Sequence, residues 1–188
     1  DSYRAGIELE AVIPLFNNKF ILDANTTLSR NKIDNYTAYF DVYDNEDDYN
    51  WTRQIYKDYG TTNISFSPSV VSAIGATWQP TPDLYLNLTG KYVSKQYLDN
   101  TSDNEKSIDA YFVSNFSAGY TFKPSAVGTF NLQFFVNNLF NSKYIANGWA
   151  STDAFENGST INWVGYYPQA SRNYMAQLTL SFYKIIYI

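Results

Sequence analysis

The sequence predicts an all-β protein, an antiparallel transmembrane β-barrel segment of about seven long strands. Apolar residues recur with a period of two from end to end, the signature of strands with two unlike faces. One face of each alternating run carries no charge. Aromatic residues make up 19% of the chain against 16% charged, where soluble domains carry roughly 25% charged residues.

The first run puts Tyr3, Ala5, Ile7, Leu9, Ala11 and Ile13 on one face and Arg4, Gly6, Glu8, Glu10 and Val12 on the other. After a turn over 14–18, Phe20, Leu22, Ala24 and Leu28 oppose Lys19, Asp23 and Asn25. A third strand over 64–78 sets Ile64, Phe66, Val70, Ile74, Ala76 and Trp78 against Ser65, Ser67, Ser69 and Gly75. Past the turn at 79–83, with Pro80 and Pro82, Leu84, Leu86, Leu88, Gly90 and Tyr92 alternate with Tyr85, Asn87, Thr89 and Lys91. The fifth strand presents Phe112, Phe116, Ala118, Tyr120 and Phe122, and the sixth Phe130, Leu132, Phe134 and Val136. The last presents Tyr174, Ala176, Leu178, Leu180 and Phe182. Runs of about 10–14 residues are twice the soluble mean of about 5–6 and match a tilted bilayer crossing.

A soluble lipocalin-like barrel has the same period with its apolar face turned inward. Two features favour the membrane. The polar face is filled by Asn, Ser, Thr, Gln and Gly rather than by the Lys and Glu of a watery exterior. Aromatics also gather at the strand ends, with Phe20, Trp78, Phe122, Phe130 and Phe182 at one edge and Phe66, Tyr92, Phe112 and Tyr174 at the other, as in the two interfacial girdles of outer-membrane barrels. Connections alternate short (14–18, 79–83, 123–128) and long (34–60, 96–107, 139–171), which reads as periplasmic turns and extracellular loops. Seven is an odd count, and complete bacterial barrels have an even one, so the sequence reads as a piece of something larger. The opening Asp1-Ser2-Tyr3-Arg4 has no signal-peptide pattern, which reads as a removed leader or an excised fragment.

Composition narrows the chemistry. With no histidine and no cysteine, the commonest general base and every thiolate site are missing. A net charge of −5 gives nucleic acid no electrostatic reason to bind. No catalytic residue and no cofactor are indicated. Asp41, Asp44, Glu46, Asp47 and Asp48 crowd the first long loop and suit the oxygen-only shell of calcium, although acidic runs are more often simply solvated. Asp99, Thr101, Asp103 and Glu105 form a second such group. Trp149, Phe155, Trp163, Tyr166 and Tyr167 populate the last long loop, where they either grip a ligand or pack the loop against its neighbours. Glu8 and Glu10 share a face, and lining a polar lumen explains them better than a glycosidase pair does.

Six blocks, in order, resemble the end of TonB-dependent receptors of the kind found in Bacteroidetes-type bacteria. They are Tyr3-Arg4-Ala5-Gly6-Ile7-Glu8, Leu28-Ser29-Arg30-Asn31-Lys32-Ile33, Phe66-Ser67-Pro68-Ser69, the stretch from Lys91 to Ser102, Val136-Asn137-Asn138-Leu139-Phe140-Asn141-Ser142-Lys143-Tyr144, and the stretch from Tyr166 to Asn173. The fifth contains the family's NLFN-K-Y motif, carried here by Asn138, Leu139, Phe140, Asn141 and Tyr144. The resemblance implies a 22-stranded barrel with a plug in its lumen. It also implies an outer-membrane receptor that imports a scarce nutrient (siderophore-bound iron, haem, a glycan or a peptide) when TonB pulls on the plug. This chain would supply strands and loops over 1–182. Its partners would be outer-membrane lipid, the plug and remaining strands, TonB through that plug, and the barrel-assembly machinery, which recognises a closing aromatic. Phe182 fills that place, and 183–188 read as an extension. A small self-contained adhesin barrel and a soluble carbohydrate-binding β-domain are the alternative readings.

Overall fold

The computed structural model describes residues 1–124 and 128–182; the 183–188 extension lies outside them. The strands are β1 (Ser2–Leu15), β2 (Phe20–Tyr43), β3 (Trp51–Asn63), β4 (Val70–Thr81), β5 (Leu84–Val93), β6 (Gln96–Tyr97), β7 (Ser107–Ile108), β8 (Tyr111–Phe122), β9 (Gly128–Asn137), β10 (Ile145–Phe155), β11 (Thr160–Pro168) and β12 (Asn173–Phe182). Seven of them, β1, β2, β4, β5, β8, β9 and β12, form the wall the alternation predicts, each antiparallel to its neighbour. β1 pairs only with β2 and β12 only with β9, so among the described residues the sheet is open at both edges.

Register turns seven separate patterns into one surface, because residues directly opposite in a pair share a face. Ile13 faces Leu22, Leu22 faces Ala76, Ala76 faces Leu88, Leu88 faces Phe116 and Phe116 faces Val136. Among the described residues no second layer packs on this face, although Phe140 overhangs part of it: Leu88 is 43%, Leu132 48% and Leu178 58% exposed. Its one paired hydroxyl couple satisfies itself, Thr26 Oγ1 donating to Ser72 Oγ at 2.8 Å. The aromatic edges line up as well. Phe20 opposes Trp78, Phe122 opposes Phe130 with rings stacked at 4.8 Å, and Tyr92 opposes Phe112. On the opposite face, amides and hydroxyls bond across strands, Asn87 to Thr77 and Asn131 to Thr121. There the Tyr85 ring lies across Gly119, where a Cβ would collide with it.

Two connections differ from the sequence reading. The region 34–60, expected to be loop, is mostly strand: β2 runs on to Tyr43 and pairs with β3. The alternation of Ala38, Phe40 and Val42 continues, but Asn35 and Gly60 at φ 54° and 68° break the ladder first, a bulge-like step that ends the regular wall. Conversely, 64–69 is irregular and the third wall strand starts at Val70 rather than Ile64. Pro68 has no N–H to give a ladder and Phe66 sits at φ 50°. The last long loop holds the β10–β11 hairpin and the middle one the β6–β7 pair.

Candidate extracellular site

Above the wall, on the side of the long loops, the chain builds a small core of its own. Val42, Ile108, Leu98, Ala154 and Phe155 are buried there. β10 reaches back across the sheet and pairs in parallel with the tip of β2, Ala154 with Val42 and Phe155 with Tyr43. The Phe155 ring sits between Tyr43 and Tyr49, with centroids at 6.4 and 5.4 Å. Beside it Arg53 and Glu156 pair at 3.1 Å, and Thr52 also donates to Glu156. Hydrogen bonding from Arg53, then from Thr52, holds the Glu156 carboxyl below the usual carboxylate range.

Beneath the hairpin lies Lys106, 3% exposed. Its ammonium pairs with Asp99 at 3.2 Å and donates to Thr152 on β10. A buried ammonium needs such partners, and the bond to Thr152 ties the middle loop to the last one. Asn162 of β11 adds a bond to Glu105, and the Tyr166 hydroxyl donates to the Ser107 carbonyl at 3.0 Å.

The sequence candidates fall into place unequally. Register puts Trp149, Trp163 and Tyr167 on one face of the hairpin and Tyr166 on the other. Trp149 and Trp163 stay about half exposed, the first lying across Gly165 and the second donating to Asp153 at 2.8 Å. Tyr166 instead lines a cleft of about 410 Å³ with Tyr111, Tyr144, Asp109 and Lys143, where Tyr111 and Tyr144 stack at 4.8 Å. Phe155 is buried in the core of the loops. Asp44, Glu46, Asp47 and Asp48 do not converge: among the described residues no three carboxylates form a group able to hold a cation. Asp44 instead closes the β2–β3 connection by accepting from the Asn45 and Asn50 backbones and from the Asn50 amide. The Asn50 amide bond is the main reason its carboxyl stays below the usual range.

The NLFN-K-Y motif forms a turn that fixes the last strand. Asn138, buried at φ 54°, donates from its amide to the Ser142 and Ala170 carbonyls and accepts from the Ser142 N–H. Its own N–H donates to Asn115 of β8. Asn141 accepts from the Arg172 N–H just before β12 begins, and the Tyr144 carbonyl accepts from Gln169. Leu139 N–H reaches the Ser114 carbonyl, while Phe140 is exposed over the uncharged face. Phe182 ends β12 opposite Gly128. The contacts of Lys106 with Thr152 and of Arg53 with Glu156 had no sequence signal, since their members lie far apart in the chain and belong to no pattern.

A family model described as "TonB dependent receptor-like, beta-barrel" matches residues 1–139, and the chain belongs to that family. The stretch beyond the match continues the same sheet through the β9–β12 pairing. No curated protein sequence matches the chain. Among solved structures it is similar to the siderophore receptor PiuA from Acinetobacter baumannii, at 18% identity and TM-score 0.66 over 94% of this chain and 21% of that one. It is also similar to the ferric citrate transporter FecA in unliganded form, at 19% identity and TM-score 0.60 over 93% of this chain and 24% of that one. A mutant of the ferric enterobactin receptor PfeA from Pseudomonas aeruginosa gives 18% and 0.59 over 96% and 22%. The chain thus spans under a quarter of each, and at these identities the likeness carries the fold.

Proposed function

We propose that the whole protein is a TonB-dependent active transporter of the bacterial outer membrane, and that this chain supplies part of its barrel wall and extracellular loops. The observation that supports this best is the unbroken uncharged face across seven paired strands, which only hydrocarbon suits. Outer-membrane lipid, the plug, the remaining strands of a 22-stranded barrel, TonB acting through the plug, and the barrel-assembly machinery acting on Phe182 are its partners in this reading. The cargo is a scarce nutrient: siderophore-bound iron, haem, a glycan or a peptide. Trp149, Trp163 and Tyr167 are the residues on which a ligand would first settle, and the chain's part is binding and passage rather than catalysis.

The test is energised uptake. Cells lacking the gene are given each of the four cargo classes as sole source of iron, haem, sugar or peptide. The reading expects one growth defect, restored by the gene and abolished by a protonophore. Normal growth on all four, or uptake indifferent to the protonophore, contradicts active transport.

A further inference from the structure

Three of the six family-like blocks, separate in sequence, meet at one hollow on the rim of the wall. Arg30 and Lys32 continue the uncharged face upward: Ile7 opposes Leu28, then Ala5 opposes Arg30 and Tyr3 opposes Lys32 without a break in register. Asn63 pairs with Lys32 and accepts its ammonium at 2.8 Å. From the other flank come Lys95, whose ammonium lies 5.1 Å from the centre of the Tyr97 ring, and the irregular 64–69 segment with Ser67 and Ser69. The hollow measures about 350 Å³, and no carboxylate lines it. Among the described residues Arg30, Lys32 and Lys95 make no ion pair; Lys32 donates to the Asn63 amide, Lys95 donates to the Asn104 amide beside the Tyr97 ring, and three cations share one concavity.

The position of this hollow matters as much as its charge. Val70, opposite Leu28, starts β4 just below it. Four residues further down, roughly 13 Å at strand rise, Ile74 enters a second hollow of about 150 Å³ on the uncharged face, lined by Leu22, Ala76, Leu88, Phe112 and Phe140. Gly90 leaves that space open, and the Phe112 ring closes over it. A cationic cup at the end of the hydrocarbon-facing surface, with an apolar slot beneath it, complements an anionic headgroup that carries acyl chains. Guanidinium and ammonium groups are the usual partners of phosphate oxygens.

We propose that this surface is a binding site for a phosphate-bearing lipid of the outer leaflet. Arg30, Lys32 and Lys95 hold the phosphate, and one acyl chain lies along Val70 and Ile74 into the Leu88–Phe140 slot. The proposal rests on the lipid-facing reading of the wall.

The test uses the full-length receptor in detergent with hexa-acyl bisphosphoryl lipid A as probe, counting bound lipid by native mass spectrometry. The triple variant Arg30→Gln, Lys32→Gln, Lys95→Gln is expected to weaken lipid A binding at least tenfold. The variant Arg30→Lys, Lys32→Arg, Lys95→Arg is expected to keep it within about threefold. Lipid A stripped of its phosphates should bind the wild type no better than the intact lipid binds the triple Gln variant. Ala76→Phe, which fills the slot, should weaken binding several-fold while heat-modifiable migration of the barrel stays unchanged. Binding by the triple Gln variant within twofold of wild type overturns the site. Displacement of lipid A by equimolar inorganic phosphate overturns the lipid in favour of a free anion. Failure of the underlying wall reading looks different: the receptor would then stay in solution without detergent, whatever the triple variant does.

Discussion

The lower and upper halves of β2 are one continuous strand with opposite surroundings. From Phe20 to Leu28 it has a wall strand on either side, and its apolar side chains meet no protein layer above them. Between Ala38 and Val42 the chain is covered instead: Ala38 and Val42 are buried and Phe40 half-buried, as in a small soluble domain. Antiparallel pairing runs through both, with β1 and β4 flanking the lower half and β3 beside the upper one, so what differs most is what lies over each half. In the proposed reading the wall's apolar face is stable because lipid takes the place of a core. In the loops water surrounds everything, and burial must come from chain folded upon chain.

That contrast predicts how each half breaks. The largest effect belongs to a charge placed on the uncharged face at mid-wall. Leu88→Arg should destabilise the folded barrel by about 2–4 kcal/mol, as cations do near the bilayer midplane, whereas Thr89→Arg on the lumen face should stay within about 0.5 kcal/mol. Reversible urea unfolding of the full-length receptor in vesicles measures both, and equal losses would erase the distinction between faces.

Next is the joint between the regions. Asn138→Ala removes the side-chain partner of three part-buried backbone groups and places alanine at φ 54°, a loss of about 2–3 kcal/mol. Hydrogen exchange should speed up first at Arg172 and along β12. Smaller is Lys106→Met, which leaves Asp99 without its cation. Because the Asp99 side chain is 25% exposed, water recovers part of the loss, and about 1–3 kcal/mol should appear as faster exchange over 96–108 and 150–155, with β4 and β5 unchanged. Adding Asp99→Asn should return part of it.

The smallest effect is a pH response at the hairpin tip. Pairing with Arg53 depresses the folded-state pKa of Glu156, so its contribution is complete above the unfolded-state carboxylate pKa and fades as pH falls through the depressed value. A spin-label distance between β3 and the β10–β11 turn should lengthen only at acid pH. Glu156→Gln should remove that pH dependence.

The wall was legible in the sequence because lipid imposes a simple rule, one uncharged side chain at every second position, and Leu84, Leu86 and Leu88 state it locally. The upper β2 follows the same alternation at Ala38, Phe40 and Val42, but the acidic residues beyond it and the step at Asn35 read as loop. Residues 64–69 misled in the other direction, since Ile64 and Phe66 keep the period while Pro68 cannot keep the ladder. At the candidate site, the aromatic residues could be named but not sorted: only the register of β10 with β11 separates Tyr166 from Trp149, Trp163 and Tyr167. The contact of Lys106 with Thr152 spans 46 residues, and no local pattern encodes it.

This chain has no cysteine, so once any cysteine elsewhere in the receptor is replaced, single-site labels give a direct test of the wall's orientation. Single cysteines at Leu88, Leu132 and Leu178, and at Asn87, Gln133 and Gln177, would carry nitroxide labels in the full-length receptor in vesicles, with collision rates read against oxygen and a water-soluble nickel chelate. Labels at the three leucine positions should collide chiefly with oxygen and those at the three polar positions chiefly with the chelate. The reverse order, or chelate access at all six, would contradict a lipid-bathed face.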